Sequence, residues 1–358
     1  MNRMAIQKFI VSKDESIYEA WPDVVQTESG KLICVFSECE HHLNRQGARI
    51  VICESIDRGK SWSEKKYLTQ TGRSDCYFNC ARISKLNDGS LAIVCDRIIG
   101  KEDDGSSEIY VWYGDAEGIC WEEPIIYPFC GIVPDKLQQL KNGRLIIAAH
   151  YTNKTTKKLE QYLWYSDDMG KTWSERVTVA AHPDYNLCEI SILECENNTL
   201  VGFLRENSLK GYDMMKTVSY DNGETWTPVS NTPIDGGHRP VSGFLQDGKV
   251  MVTYRYISSG DAQNVFAAFL KKEELTNMYR QDQYVRIMPL DYDRNPSPDL
   301  GYTGWTQFKD GKIYVVNYIK DDSDQAYICG YSFYPEDVML PVTKNTTASV
   351  FLTEVYNN

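Results

Sequence analysis

The feature that most limits what this chain can become is a phrase repeated six times, a short polar turn followed by an apolar strand. It reads ESGKLICVFSE (28–38), NDGSLAIVCDR (87–97), KNGRLIIAAHY (141–151), ENNTLVGFLRE (196–206), QDGKVMVTYRY (246–256) and KDGKIYVVNYI (309–319). The first strand residues, Leu32, Leu91, Leu145, Leu200, Val250 and Ile313, lie 50 to 63 positions apart. Self-similarity at roughly 40–55 residues with several strands per unit is the pattern of a β-propeller. A prior of roughly 150 residues per domain suggests two domains, but six such units fill nearly all of the 358 residues. The repeats therefore predict one all-β domain over residues 1–358, a six-bladed propeller of four-stranded antiparallel blades. FIVS (9–12) and ASVFLTEVY (348–356) are the two candidate strands for closing the last blade on the first. The connection 257–301 is longer than the others, and LKKEELTNMYRQ (270–281) within it reads as a short helix.

Composition narrows the partners. Aromatic residues make up 12% of the chain, which suits strands better than helices. A net charge of −12 would be repelled by phosphate backbones, so nucleic acid is not an expected partner. No run approaches the 18 apolar residues of a membrane span. The 11 cysteines are odd in number and lack CxxC pairs or zinc-like spacing, so no metal and no cofactor is expected. The amino terminus has no apolar signal-peptide core, and a reduced, cytoplasmic protein is the simplest expectation. One chain can close the ring, so a monomer or weak homo-oligomer is expected.

A second repeat falls later in each unit. Ser55-Ile-Asp57-Arg-Gly59-Lys-Ser61-Trp62, Ser166-Asp-Asp168-Met-Gly170-Lys-Thr172-Trp173 and Ser219-Tyr-Asp221-Asn-Gly223-Glu-Thr225-Trp226 share S-x-D-x-G-x-[ST]-W, and Gly114 to Trp121 is a worn copy. Asp and Ser can tie a hairpin backbone together, and Gly supplies a positive φ. This motif resembles the Asp-box (BNR repeat) of the sialidase superfamily, which implies a sialidase-like propeller.

Topology indicates which residues meet. If the first turn joins the inner two strands and the Asp-box joins the outer two, both lie on one face of the disc. The starts of the inner strands and the ends of the second strands then gather on the other face, around the channel. Counting nine residues back from each turn glycine (or Asn198) gives a ring of Trp21, Cys80, Pro134, Glu189, Arg239 and Tyr302. Two positions further come Asp23, Arg82, Lys136, Ser191, Val241 and Gly304, on the same side of the strand. The second strands end in Glu38, Arg97, His150, Arg205, Glu206, Arg255 and Tyr318, and the first loop beyond them opens with Glu40-His41-His42. Charge and aromatic faces at one rim suit a sugar, with arginine able to clamp a carboxylate.

The resemblance assigns roles. In sialidases a Tyr at the start of the last inner strand attacks the anomeric carbon with a Glu assisting. Tyr302 resembles that Tyr, Glu189 the Glu, and Arg205 one of the three arginines that bind the sugar carboxylate. A Tyr nucleophile sets sialidases apart from the many glycosidases that work with a pair of carboxylates. Three family positions differ here: Ala20 stands where an Arg is expected, residues 39–50 contain no Asp acid, and 257–265 lacks the third Arg. Arg239 and Arg255 would complete the clamp, and Glu40, His41 or His42 would donate the proton. Arg82, Trp21, Asp23, Asp135 and Lys136 are further rim candidates for substrate contact. The expected function is exo-hydrolysis of a terminal acidic sugar. One alternative is a two-carboxylate glycosidase using Glu189 with Asp135 or Glu38, Tyr302 only stacking. Another is a propeller that binds carbohydrate without turnover.

Overall fold

The computed structural model describes residues 6–70, 75–100, 107–257 and 263–338. Six antiparallel sheets follow one another along the chain, each built from the channel outward. Blade one comprises Tyr18–Gln26, Leu32–Cys39, Arg49–Ser55 and Lys66–Tyr67. In blade two the inner edge is split into Cys76–Phe78 and Arg82–Lys85, followed by Leu91–Ile99, Ser107–Gly114 and Ile125–Tyr127. Blade three runs from Gln138–Gln139 to Val177–Ala180, blade four from Leu187–Glu194 to Ser230–Asp235, and blade five from Gly237–Phe244 to Val285–Tyr292. Blade six contains Leu300–Gln307, Ile313–Ile319 and Tyr327–Phe333, with Gln7–Ser12 as its outermost strand. The N-terminal closing candidate is thus the one that pairs, while 348–356 lies outside the described residues.

Both faces of a blade are covered by its neighbours, so the second strands read as unbroken apolar runs. Leu32 to Phe36, for example, are all fully buried. Among the described residues the apolar side chains form six clusters; five each join two adjacent blades, and the sixth runs from blade six through blades one and two to Ile132 and Val133 of blade three. Ile33 and Val35 of blade one meet Ile83 and Ile93 of blade two in one such cluster.

The Asp-boxes act as turn staples. Asp221 accepts hydrogen bonds from the Thr225 amide (2.9 Å) and hydroxyl (2.5 Å) and from Ser219 (2.8 Å), while Ser219 accepts the Gly223 amide. Gly59 adopts φ 82°, and a Cβ there would collide with the Tyr314 ring of blade six, so only glycine fits. In the worn copy Ala116 occupies the Asp position, and Asp115 captures the Cys120 amide instead (2.6 Å). Asp221→Ala is expected to lower stability by about 1–3 kcal/mol, read as a reduced urea midpoint with an unchanged m value. The rim described below should be unaffected in the folded variant, because the staple lies on the opposite face of the disc.

The long connection differs from expectation. Much of 257–301 belongs to blade five as Gln263–Leu270 and Val285–Tyr292. Segment 270–281 holds two short 3-10 turns, Lys272–Glu274 and Arg280–Asp282, in place of one helix. Leu275 is its main buried anchor, too little apolar face to hold a longer helix.

Candidate active site

The inner strands share a device that aims side chains at the channel. In blade one Ala20 pairs with Ser37 and Asp23 with Val35, leaving two inner residues opposite one. The same bulge recurs between Cys188 and Ser191, His238 and Val241, and Gly301 and Gly304. Its first residue is left-handed every time: Trp21 (φ 57°), Glu189 (49°), Arg239 (49°) and Tyr302 (53°). Non-glycine residues adopt this conformation only when their surroundings impose it, at a cost of order 1–3 kcal/mol, and bulges re-aim side chains. Blade three carries the device at Val133 (φ 48°), one position before the counted Pro134. One extra residue between Asp135 and Gln138 causes the offset, since Asp135 bonds opposite Ala148 while Gln138 pairs with Ile146. Cys80 of blade two lies where its inner strand is interrupted.

Tyr302, Glu189, Arg205, Arg239 and Arg255 come together. The Tyr302 hydroxyl donates to Glu189 Oε1. Arg205 Nη1 lies 3.0 Å from both Glu189 oxygens, and its Nη2 donates to Asn207 Oδ1 at 2.6 Å. The guanidinium carbons of Arg239 and Arg255 sit 5.5 and 5.4 Å from the Tyr302 ring centroid. All five residues are largely buried. Burial alone would raise the Glu189 carboxyl, but the charges of Arg205, Arg239 and Arg255 outweigh it and hold it well below the usual carboxylate range. Burial, with Glu189 beside it, pushes the Tyr302 phenol well above 10. The pair is therefore a neutral phenol donating to a carboxylate.

Glu189 is the carboxylate bonded within this cluster, whereas Asp135 and Asp299 act on Arg239 and Arg255 through their charge. Arg205 Nε, Arg239 Nε and Nη1, and Arg255 Nε are buried without a hydrogen-bond partner. Such groups are costly unless something accepts from them.

Two buried histidines border this cluster. His150 accepts the Glu189 amide at 3.3 Å. Its imidazole is pushed down to about 4, first by burial and then against the attraction of Glu189 by Arg239 and Arg205. His238 is lowered by burial, Arg205 and Arg255. The unfolded chain takes up protons on these rings from about pH 6.5 downward, whereas folded His150 stays neutral until about 4. Its contribution is thus complete above about pH 6.5 and lost as pH falls toward 4. That loss is worth about 3 kcal/mol. His150→Gln is expected to flatten the pH 4–7 part of the stability curve measured by urea unfolding.

The other rim candidates occupy different places. Asp23, Arg82, Asp135 and Lys136 form a buried girdle just past the bulges. Asp23 accepts the Ile83 amide (3.0 Å) of the next blade and pairs with Arg82 (3.4 Å) and Lys136 (3.2 Å). Asp135 accepts the Ile192 amide in the same manner (3.1 Å), as Ser191 does that of Ser242 (2.9 Å). These side chains stitch neighbouring inner strands. At Gly304 a Cβ would strike Asp23 Oδ1, which explains the glycine in this packed girdle. Glu38 is buried and held by Arg49 and Lys65. Exposed Glu40 accepts from Asn44 at 2.6 Å, and His41 Nδ1 accepts the Leu43 amide at 3.2 Å.

His42 belongs to a second cluster whose centre the sequence reading overlooked. Asp299 bonds to His42 Nδ1 (2.8 Å), the Tyr18 hydroxyl (2.5 Å) and the Tyr318 hydroxyl (3.1 Å). Trp21 packs edge-on to His42 (5.5 Å) and Tyr318 (6.2 Å), and Tyr318 lies 6.5 Å from Tyr302. Asp293 fixes the loop presenting Asp299, accepting the amides of Asp299, Asn295, Lys320 and Asp321. The D-x-x-x-x-x-D spacing in 293–299, just ahead of the Tyr302 strand, was the available signal.

Residues 87–315 match the family model described as BNR repeat-like domain. The chain belongs to this BNR repeat-like family. Over 190 residues this BNR repeat-like protein is 26% identical to a sialidase of Paraclostridium sordellii, covering 44% of the chain and 47% of the relative. The match thus spans about half the length of that curated relative. Among solved structures, a Dyadobacter fermentans protein of unknown function superposes with TM-score 0.77 at 21% identity, covering 92% of this chain and 99% of that one. The NanB sialidase of Streptococcus pneumoniae gives 0.69 at 14% identity, covering 94% and 71%. An α-L-arabinofuranosidase of Fusarium graminearum gives 0.64 at 13% identity, covering 93% and 99%. The sialidase-like propeller expected from the repeats is the fold this BNR repeat-like chain adopts. The structural likenesses carry the fold alone.

Proposed function

We propose that this protein is an exo-acting glycosidase that removes a terminal acidic sugar, with Tyr302 as nucleophile and Glu189 as its base. The observation that carries this reading is the Tyr302–Glu189 hydrogen bond set among three buried arginines. A sugar carboxylate beside the anomeric carbon pairs with the guanidiniums of Arg205, Arg239 and Arg255 and balances their charge. Neutralised in this way, the arginines hold Glu189 less firmly as an anion, so its basicity rises when the correct substrate is seated. A neutral phenol then attacks without repulsion from that carboxylate, passing its proton to Glu189. The sialidase relative supports the general class. The eleven free thiols suit the cytoplasm as the proposed compartment.

The test is turnover of 4-methylumbelliferyl α-ketosides of N-acetylneuraminic acid and its deaminated analogue, followed by trapping with a fluorinated sugar and peptide mass spectrometry. The expected result is hydrolysis with an adduct on Tyr302. An adduct on a carboxylate would favour the two-carboxylate alternative, and binding without turnover would favour the carbohydrate-binding one. Either result overturns this proposal.

A further inference from the structure

The function proposed above assigns a nucleophile and a base but no group that protonates the departing alcohol. Among the charged groups described, Asp299 and His42 are the pair at the mouth that neither the girdle nor the arginine cluster uses. Asp299 is half-buried and receives three donors, His42 Nδ1, Tyr18 and Tyr318. Burial would raise its carboxyl, but the hydrogen bond and charge of His42 and the bond from Tyr18 keep it lowered. A carboxylate held this way as an anion is a poor proton donor. His42 differs, because its side chain is 34% exposed and Nε2 has no hydrogen-bond partner among the described residues. With Nδ1 bound to Asp299, the free nitrogen is the one left for a ligand. His42 also packs on Trp21, a bulge residue of the same ring as Tyr302.

We propose that His42 is the acid–base that serves the leaving group, and that Asp299 is the residue positioning it, in an arrangement resting on the function proposed above. In the first step Tyr302 Oη bonds to the anomeric carbon and its proton passes to Glu189. The glycosidic C–O bond breaks, and its oxygen takes the Nε2 proton of the His42 imidazolium, releasing an alcohol. In the second step neutral His42 takes a proton from water as the water oxygen attacks the anomeric carbon. The bond to Tyr302 breaks, and Glu189 returns its proton to the phenolate. Acid and base are then restored, and the net change is hydrolysis. Asp299 plays the orienting part that a buried aspartate plays for a catalytic histidine elsewhere. The groups facing this dyad are Tyr18, Tyr318, Arg255, whose charge reaches Asp299, and Arg45, stacked over Trp21.

Two measurements test the dyad. Nitrogen-15 NMR of the five histidines should find neutral His42 as the Nδ1–H tautomer in the wild type and as a mixture in Asp299→Asn. A wild-type Nε2–H tautomer, or no change in the variant, overturns the proposal whatever the substrate. The second compares kcat/KM for the methyl and 4-nitrophenyl α-ketosides of N-acetylneuraminic acid, since a nitrophenolate leaves without a proton. His42→Ala and Asp299→Asn should raise the aryl-to-methyl ratio at least about 50-fold, and azide should rescue His42→Ala as the glycosyl azide. An unchanged ratio in both variants, with Tyr302→Phe still inactive, overturns the dyad alone. A wild type that hydrolyses neither ketoside overturns both readings.

Discussion

Tyr302→Phe is expected to lower kcat/KM on the 4-methylumbelliferyl α-ketoside at least about 10³-fold, with KM nearly unchanged. The substitution removes one oxygen and leaves the ring under Arg239 and Arg255, so the pocket keeps its shape and most of its affinity. Stability should move in the opposite sense to activity or hardly at all. The lost hydroxyl donates to a carboxylate that retains Arg205, and the strained φ of 53° at position 302 is unaffected. Steady-state kinetics and a urea melt on the same preparation check both halves. A Phe variant with more than a tenth of wild-type turnover would remove the nucleophile assignment.

Glu189→Gln is expected to damage the fold as well as the chemistry. Glu189 is the anion among Arg205, Arg239 and Arg255, and breaking a buried pair from one side costs about 3–5 kcal/mol because the remaining charge has no counterpart. The sign of its pH dependence follows from its lowered carboxyl. Stability contributed by this ionised group is fully present above the ordinary glutamate value of about 4.3 and is lost as pH falls toward its much lower folded value. Wild type should therefore lose stability through Glu189 on acidification below about pH 4.5, and Glu189→Gln should lack that component. Urea midpoints between pH 3 and 7 separate it from the His150 effect, which begins nearer pH 6.5. Adding chloride or acetate should recover part of the Gln variant's stability by supplying an anion to the arginines.

Much of this arrangement could be read from the sequence because a propeller converts chain periodicity into spatial rings. Counting from the turn glycines placed Trp21, Glu189, Arg239 and Tyr302 at equivalent positions, and all four prove to be left-handed bulge residues. The count failed at Pro134, since an extra residue near Lys136 is invisible to a rule based on fixed distance. It could not distinguish Asp23 and Asp135 from substrate ligands either. Their task is to accept amides from the neighbouring blade, a contact between units that repeat spacing does not encode. Asp299 escaped notice because it belongs to an irregular loop, whose shape depends on four amides converging on Asp293. The 270–281 segment looked helical from its Lys and Glu residues, but it has little apolar surface to bury.

The blade that carries Tyr302 takes its outer edge from Gln7–Ser12, and the other three strands come from the opposite end of the repeat series. Among the described strands, the proposed nucleophile thus sits in the sheet that is not built from one contiguous stretch of chain. Glu189 and Arg205, by contrast, come from a blade formed entirely by residues near one another in sequence. Blade four can form from one stretch of chain, but the proposed Tyr302–Glu189 pair is seated only once Gln7–Ser12 has paired with the strand Tyr327–Phe333. A chain misregistered at this seam is therefore expected to keep Glu189 and its arginines but to lack a correctly seated Tyr302 phenol.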